Sequence, residues 1–262
     1  MTYVIGIALG YLMGLSLGLL GGGGSILTVP IFVYVFGLDP KPAIAMSLAV
    51  VGTTSLVGAV RHWGDGNVNL RVALSFAPVA MAGSYLGARL STLISGYVQL
   101  TLFAVVMFVA AVFMYRDRRP AATSDGMEGH VQPAAGGALW LVGLQGLSIG
   151  VLTGLVGVGG GFLIVPALVL FIGLPMKMAV GTSLVVIALN TASGFYGYLG
   201  QTEILWGLMG MFTSIAIVGI VTGAYLARFV SPQALRRAFA VFVLLMSVVI
   251  FYQNIGGLLS AL

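Results

Sequence analysis

The 262-residue chain carries 11 Lys and Arg against 6 Asp and Glu, yet only 6% of it is charged and 60% is hydrophobic, with a mean hydropathy of +1.12. Soluble domains are about one-quarter charged and need polar side chains at their rim, so a water-soluble globular protein is excluded. The formal charge of +5 sits mainly where apolar runs end, which removes nucleic acid as a partner, and the absence of cysteine removes disulfide and thiol chemistry.

Along the chain, uncharged runs reach the roughly 20 residues that cross a bilayer at 3–36, 42–60, 72–88, 98–115, 138–176, 178–202, 204–227 and 238–262. The N-terminus lacks the basic leader of a cleavable signal peptide and reads as part of the first helix. Breaks fall near Asp39–Pro42, Arg61–Arg71, Ser95–Gly96, Pro175–Lys177, Gly200–Glu203 and Ser231–Arg237. The stretch 116–137, with Arg116, Arg118, Arg119, Pro120 and Pro133, is polar and rich in small residues, so it reads as a linker. Residues 1–115 form a first membrane half and 138–262 a second.

The halves repeat one another with an offset of 136 residues. Residues 14–48 and 150–184 agree at 16 of 35 positions without a gap, and Gly58, Phe76, Gly83 and Gly87 match Gly194, Phe212, Gly219 and Gly223. That period is too long for a solenoid unit of about 20–50 residues; a duplicated half in a membrane points to a transporter.

Positive charge decides how the halves are arranged, because Lys and Arg favour the cytoplasmic side of short loops. If the first long run of each half crosses once, the halves are parallel and the 11 cations divide five inside and six outside. If it folds back as a hairpin, the halves are inverted and nine lie inside, with only Lys41 and Arg89 outside. The expected fold is therefore an all-α polytopic membrane protein of two inverted-topology repeats, each a Gly-broken hairpin plus three transmembrane helices. Both termini are expected on the non-cytoplasmic side and the linker in the cytoplasm.

As one helix, 3–36 would be about 50 Å long, too long for a core of about 30 Å. Gly21, Gly22, Gly23 and Gly24 are its natural break, with a shorter helix expected from near Ser25 to Phe36; Gly157, Gly159, Gly160 and Gly161 repeat it. A break at membrane depth is tolerated only where protein or a watery cavity surrounds it. A helix that starts there offers amides and a positive dipole end, which bind anions without a charged side chain. In inverted halves the two short helices would aim these ends at one another, making a midplane anion site from backbone. Glycines at four-residue spacing, such as Gly6, Gly10, Gly14 and Gly18, or Gly83 and Gly87, are read instead as close helix packing. A nucleotide-binding loop is discounted, since no strand precedes the glycines and no Gly-Lys-Ser/Thr follows them.

Ser47, Thr54, Ser183 and Asn190 follow the breaks by one helix, where hydroxyls and an amide could complete hydrogen bonds to an anion. Membrane Ser and Thr also bond their own helix carbonyls, whereas a buried Asn needs a partner or a ligand. Arg61 and His62 close a span on the expected cytoplasmic side, as candidates for anion attraction or proton coupling. Lys41 and Lys177 read as interfacial snorkelling, and Asp65 and Glu203 as solvated. No spaced His/Asp/Glu cluster speaks for a metal, so neither a metal, a cofactor nor an enzyme is expected.

As a set these elements resemble the sulfite exporter TauE/SafE family of integral membrane proteins. The likeness rests on Gly18–Pro30 and Gly154–Pro166, on Ala43–Leu48 and Ala179–Leu184, on Arg61–Val68, and on Gly83–Ala88 and Gly219–Ala224. The resemblance implies export of sulfur oxyanions, sulfite or small organosulfonates such as sulfoacetate, across a bacterial inner membrane. Alternating access around the glycine breaks is the expected mechanism, and a passive anion channel of the same architecture is the alternative. Exposed small-residue faces are compatible with a homodimer without fixing the stoichiometry.

Overall fold

The computed structural model describes residues 2–116, 139–156, 160–170 and 172–261, and among these all regular structure is helical. Of the expected linker 116–137 all but Arg116, together with the break residues Gly157 and Gly159, lies outside the described residues. Helix α1 spans Thr2–Leu20; α2, the leg that follows the first glycines, winds through residues 21–35. Then come α3 (Pro40–Gly64), α4 (Leu70–Leu90) and α5 (Gly96–Arg116). The second half repeats the series as α6 (Leu139–Val156), α7 (Gly161–Leu170), α8 (Met176–Tyr198), α9 (Trp206–Leu226) and α10 (Pro232–Ala261). Local sequence sets the boundaries: Pro40 opens α3 at a position whose amide needs no partner. The side chain of Asn69 caps α4 by accepting from the Val72 amide at 3.1 Å.

The first long run folds back. Gly6, early in α1, lies against the ring of Phe36 beyond α2, whereas Gly24, at the start of α2, lies against Met13 and Leu17. The two legs are therefore antiparallel. The return leg does not wait for Ser25: helical winding begins at Gly21, directly after α1. Gly21 takes φ 65°, a left-handed conformation open to glycine at no steric cost, and that single residue reverses the chain. Tight 3-10 turns follow over Gly21–Leu27, a short α-helical turn carries Pro30, and π turns run over Ile31–Val35. Such mixed winding is where a proline that lacks an amide proton is accommodated. The leg ends at Phe36 and Gly37, as expected.

The two halves are inverted. The equivalent helices α3 and α8 pack with Gly52 against Thr191, Gly58 against Leu184, and Gly181 against His62 and Asn67, so residue numbers run in opposite senses. By contrast, α1 and α9 run parallel, with Gly10, Gly14 and Gly18 against Phe212, Ala216 and Ile220. The equivalent pair α6 and α4 does the same, with Gly150 on Ala80 and Gly154 on Ser84. Each half thus lends its first helix to the third span of the other, and α5 pairs with α10. Only a two-fold axis lying across the helices makes equivalent helices antiparallel while keeping every such swap.

The four-residue glycine rows are packing devices, because a Cβ on Gly14, Gly83, Gly150 or Gly219 would fall within 2.5 Å of a neighbouring helix's backbone oxygen. Outward, Leu56, Val60, Leu74, Val218 and Phe229 are exposed. Among the described residues, four helices are by themselves long and apolar enough to cross a bilayer. Following the chain, α1 starts and α10 ends on one face, here the terminal face; α5 ends and α6 begins on the other, the linker face. Positions 61, 71, 116, 177, 228, 236 and 237 fall at the linker face, and Lys41 and Arg89 at the terminal face.

Candidate functional site

The two breaks meet. A Cβ added to Gly22 would lie 1.8 Å from the carbonyl carbon of Gly161, and one added to Gly161 would lie 2.2 Å from the Cα of Gly22. The two backbones therefore touch where the halves cross, and only glycine on both sides permits it. This contact leaves no room for an anion between Gly22 and Gly161 themselves. Helix α8 supplies one flank: the Ser183 hydroxyl and Val180 pack on Gly21, and Ile187 packs on Gly161. Gly160, at φ 68°, turns the second break against Thr153. The carbonyl of Gly160 accepts from the Leu163 and Ile164 amides at 2.9 Å, closing the first turn of α7.

All four expected hydroxyls have already spent their proton. Ser25 donates to Gly22 O at 2.6 Å, Ser47 to Ile44 O at 2.9 Å, Thr54 to Val50 O at 2.7 Å, and Ser183 to Val180 O at 2.8 Å. These are bonds to their own helix turn, and they leave lone pairs rather than donors for a ligand. Asn190 is different. Fully buried, it has neither its amide nitrogen nor its amide oxygen in a hydrogen bond. Ser183, Ile187 and Asn190 fall at i, i+4 and i+7 on α8, so the amide lies on the helix face that packs on the breaks. Thr28, Ser55 and Ser84 also bury unpartnered hydroxyls. Thr28 and Ser84 carry no signal in the sequence, since an apolar helix gives no sign of whether a hydroxyl finds its own carbonyl.

At the linker face a cavity of about 350 Å³ is lined by His62, Asp65, Asn67, Lys177, Val180 and Arg228, with Ala224 and Ala227. Its wall reaches Val180, which packs on Gly21, so this cavity leads towards the first break. His62 sits between the two: its Nε2 lies 3.3 Å from Gly18 O, at the end of α1, and its Nδ1 is buried without a partner. Asp65, expected in solvent, instead accepts from Arg228 through Nε at 3.0 Å and through a terminal guanidinium nitrogen. Lys177, expected to snorkel, donates to Arg228 O at 3.3 Å and lines the cavity, while Arg61 is not among its lining residues. The loop after α3 is fixed by the Asn69 amide donating to Thr182 Oγ1 at 2.9 Å and by Gly181, where a Cβ would strike Asn67 O at 2.1 Å. The signal for this cluster in the sequence is a break in the repeat, since Asp65 and Arg228 stand where the other half has Gln201 and Thr92.

Such a molecule, two inverted helical halves broken by glycine where they cross, is a polytopic membrane protein of the transporter type. The family model described as Sulfite exporter TauE/SafE matches residues 6–250, and the chain belongs to that family. It is 33% identical to a protein of Xylella fastidiosa named "Probable membrane transporter protein", over 99% of this chain and 98% of that one. It is 26% identical to "Probable membrane transporter protein YdhB" of Bacillus subtilis, over 82% and 84%. A Methanocaldococcus jannaschii relative, "Probable membrane transporter protein MJ0441", is 29% identical over 74% and 71%. No solved structure matches the chain. The protein is a multi-pass membrane transporter.

Proposed function

We propose that the protein is a secondary exporter of small sulfur-containing anions, sulfite or organosulfonates such as sulfoacetate, working by alternating access around the crossed glycine turns. The observation that carries this reading is the buried Asn190 amide, unpartnered on the helix face that packs on both breaks. Leaving such a group unpaired costs about 1–3 kcal/mol, and a cost of that kind is retained where a ligand supplies the missing bonds. The anion is held beside the Gly22–Gly161 contact, by amides of the helical turns that start at Gly21 and Gly161 and by Asn190. With the linker face in the cytoplasm, the cation distribution obeys the positive-inside rule and the termini face outward, in the inner membrane of a bacterium. The cavity by His62 is then the cytoplasmic approach, and the anion moves outward from it.

The test is efflux of sulfite from proteoliposomes, with sulfoacetate as competitor, for the wild type and Asn190→Leu. Saturable, protein-dependent efflux is expected from the wild type. In Asn190→Leu flux falls at least tenfold while thermal stability holds or rises, because the substitution removes an unpaired polar group. Undiminished flux in that variant defeats the assignment of the site, and flux that never saturates favours the passive channel.

A further inference from the structure

The side chains of Asp65 and Arg228 are 15% and 40% exposed, so water screens their ion pair and its partners exchange readily. The Arg228 guanidinium also lies over the Tyr225 ring, 5.8 Å from its centre, which keeps the fork in place whatever its anionic partner. A planar guanidinium fork takes a carboxylate and a sulfonate or sulfite by the same pair of parallel hydrogen bonds. Beside it, Lys177 donates to the Arg228 carbonyl, and the cluster of Asp65, Lys177 and Arg228 carries one cation more than it has carboxylates. The cavity in front of them, about 350 Å³, has room for a small anion with several waters, each needing roughly 30 Å³. His62 lines the same space, with its Nδ1 buried and unpartnered.

We propose that this cavity is a second oxyanion site, in which Lys177 and the guanidinium fork of Arg228 hold a small sulfonate- or sulfite-like anion in place of the Asp65 carboxylate. Asp65 is then an internal stand-in for the ligand, occupying the fork until an anion arrives. The site is separate from the glycine turns, and it rests on the transport reading only for the identity of the oxyanion. Its position on the way to Gly21 makes it a loading site.

Calorimetric titration of the full chain in lipid nanodiscs with methanesulfonate and with sulfite tests the site, with a parallel series carrying Asn190→Leu to remove the midplane contribution. Lys177→Gln is expected to weaken binding roughly tenfold, the loss of one charged hydrogen-bond donor. Asp65→Asn is expected to tighten it several-fold by freeing the fork, a gain that misfolding cannot produce. Lys41→Gln, the repeat-equivalent change on the terminal face, leaves this binding unchanged. Weaker binding in Lys177→Gln together with tighter binding in Asp65→Asn supports the site; any other combination overturns it. If that pattern holds while the wild type carries no flux, the transport reading falls and the site stands. Flux with binding indifferent to both substitutions overturns the site alone.

Discussion

The mouth at the linker face and its counterpart at the terminal face are built on the same backbone plan and finished differently. His62 stands at one and Tyr198, its repeat equivalent, at the other, each reaching a carbonyl at the end of the helix before a break. His62 lies by Gly18 O, and Tyr198 donates to Leu155 O, both at 3.3 Å. Yet His62 borders an open cavity with Asp65, Lys177 and Arg228, while Tyr198 is 1% exposed within apolar packing. Around Tyr198, Ser91 is buried and its carbonyl accepts from the Gln99 side chain at 3.4 Å. The equivalents of Asp65 and Arg228 there are the uncharged Gln201 and Thr92. Among the described residues, a larger ring and neutral neighbours pack the one mouth, whereas a smaller ring and charged side chains line the cavity at the other. Among the described residues the two-fold halves thus differ, open at one mouth and packed at the other, and the proposed alternating access would exchange that asymmetry.

The heaviest blow to this comparison is to separate the halves where they cross. Gly22→Leu or Gly161→Leu forces a side chain into backbone less than about 2.3 Å away. Overpacking of that severity is expected to cost about 3 kcal/mol or more and to remove all measurable flux; an unaltered melting temperature means the breaks do not touch. Next in size is the accessibility of the two mouths, easily read because the chain has no cysteine. Ala227, 5% exposed, lines the cavity, whereas its repeat equivalent Ser91 is 1% exposed. Ala227→Cys should label with a water-soluble maleimide at least tenfold faster than Ser91→Cys, whereas equal rates erase the difference between the mouths. The smallest effect concerns the closed mouth alone. Tyr198→Phe removes the bond to Leu155 O and the hydroxyl's contacts with Ser91 and Gln99, and should cost about 1 kcal/mol of stability, read by thermal unfolding; no loss at all would mean that the hydroxyl does not help to hold this mouth.

Much of this arrangement is legible in the amino-acid sequence. The glycine runs and the balance of cations require a folded-back first segment, because the repeat offset fixes which residues correspond and a membrane tolerates few other ways to place the charges. The structure agrees, down to Lys41 and Arg89 standing at the terminal face. Helical winding after the first break resumes at Gly21, four residues ahead of the expected Ser25. Glycine permits both a gap and a tight turn, and the packing against Met13 and Leu17 selects the turn. Ser47, Thr54, Ser183 and Asn190 look alike as polar residues on apolar helices. Only their surroundings distinguish hydroxyls that reach their own carbonyls from an amide that reaches nothing.

By itself, then, the sequence determined what local composition and periodicity control: a membrane chain, its duplication, its inversion and its breaks. Tertiary structure alone decided that Gly22 touches Gly161, that Asp65 meets Arg228 across 163 residues, and that one mouth is open. Those outcomes depend on distances between segments far apart in the chain, set by how the two halves pack, and no pattern within either half encodes them.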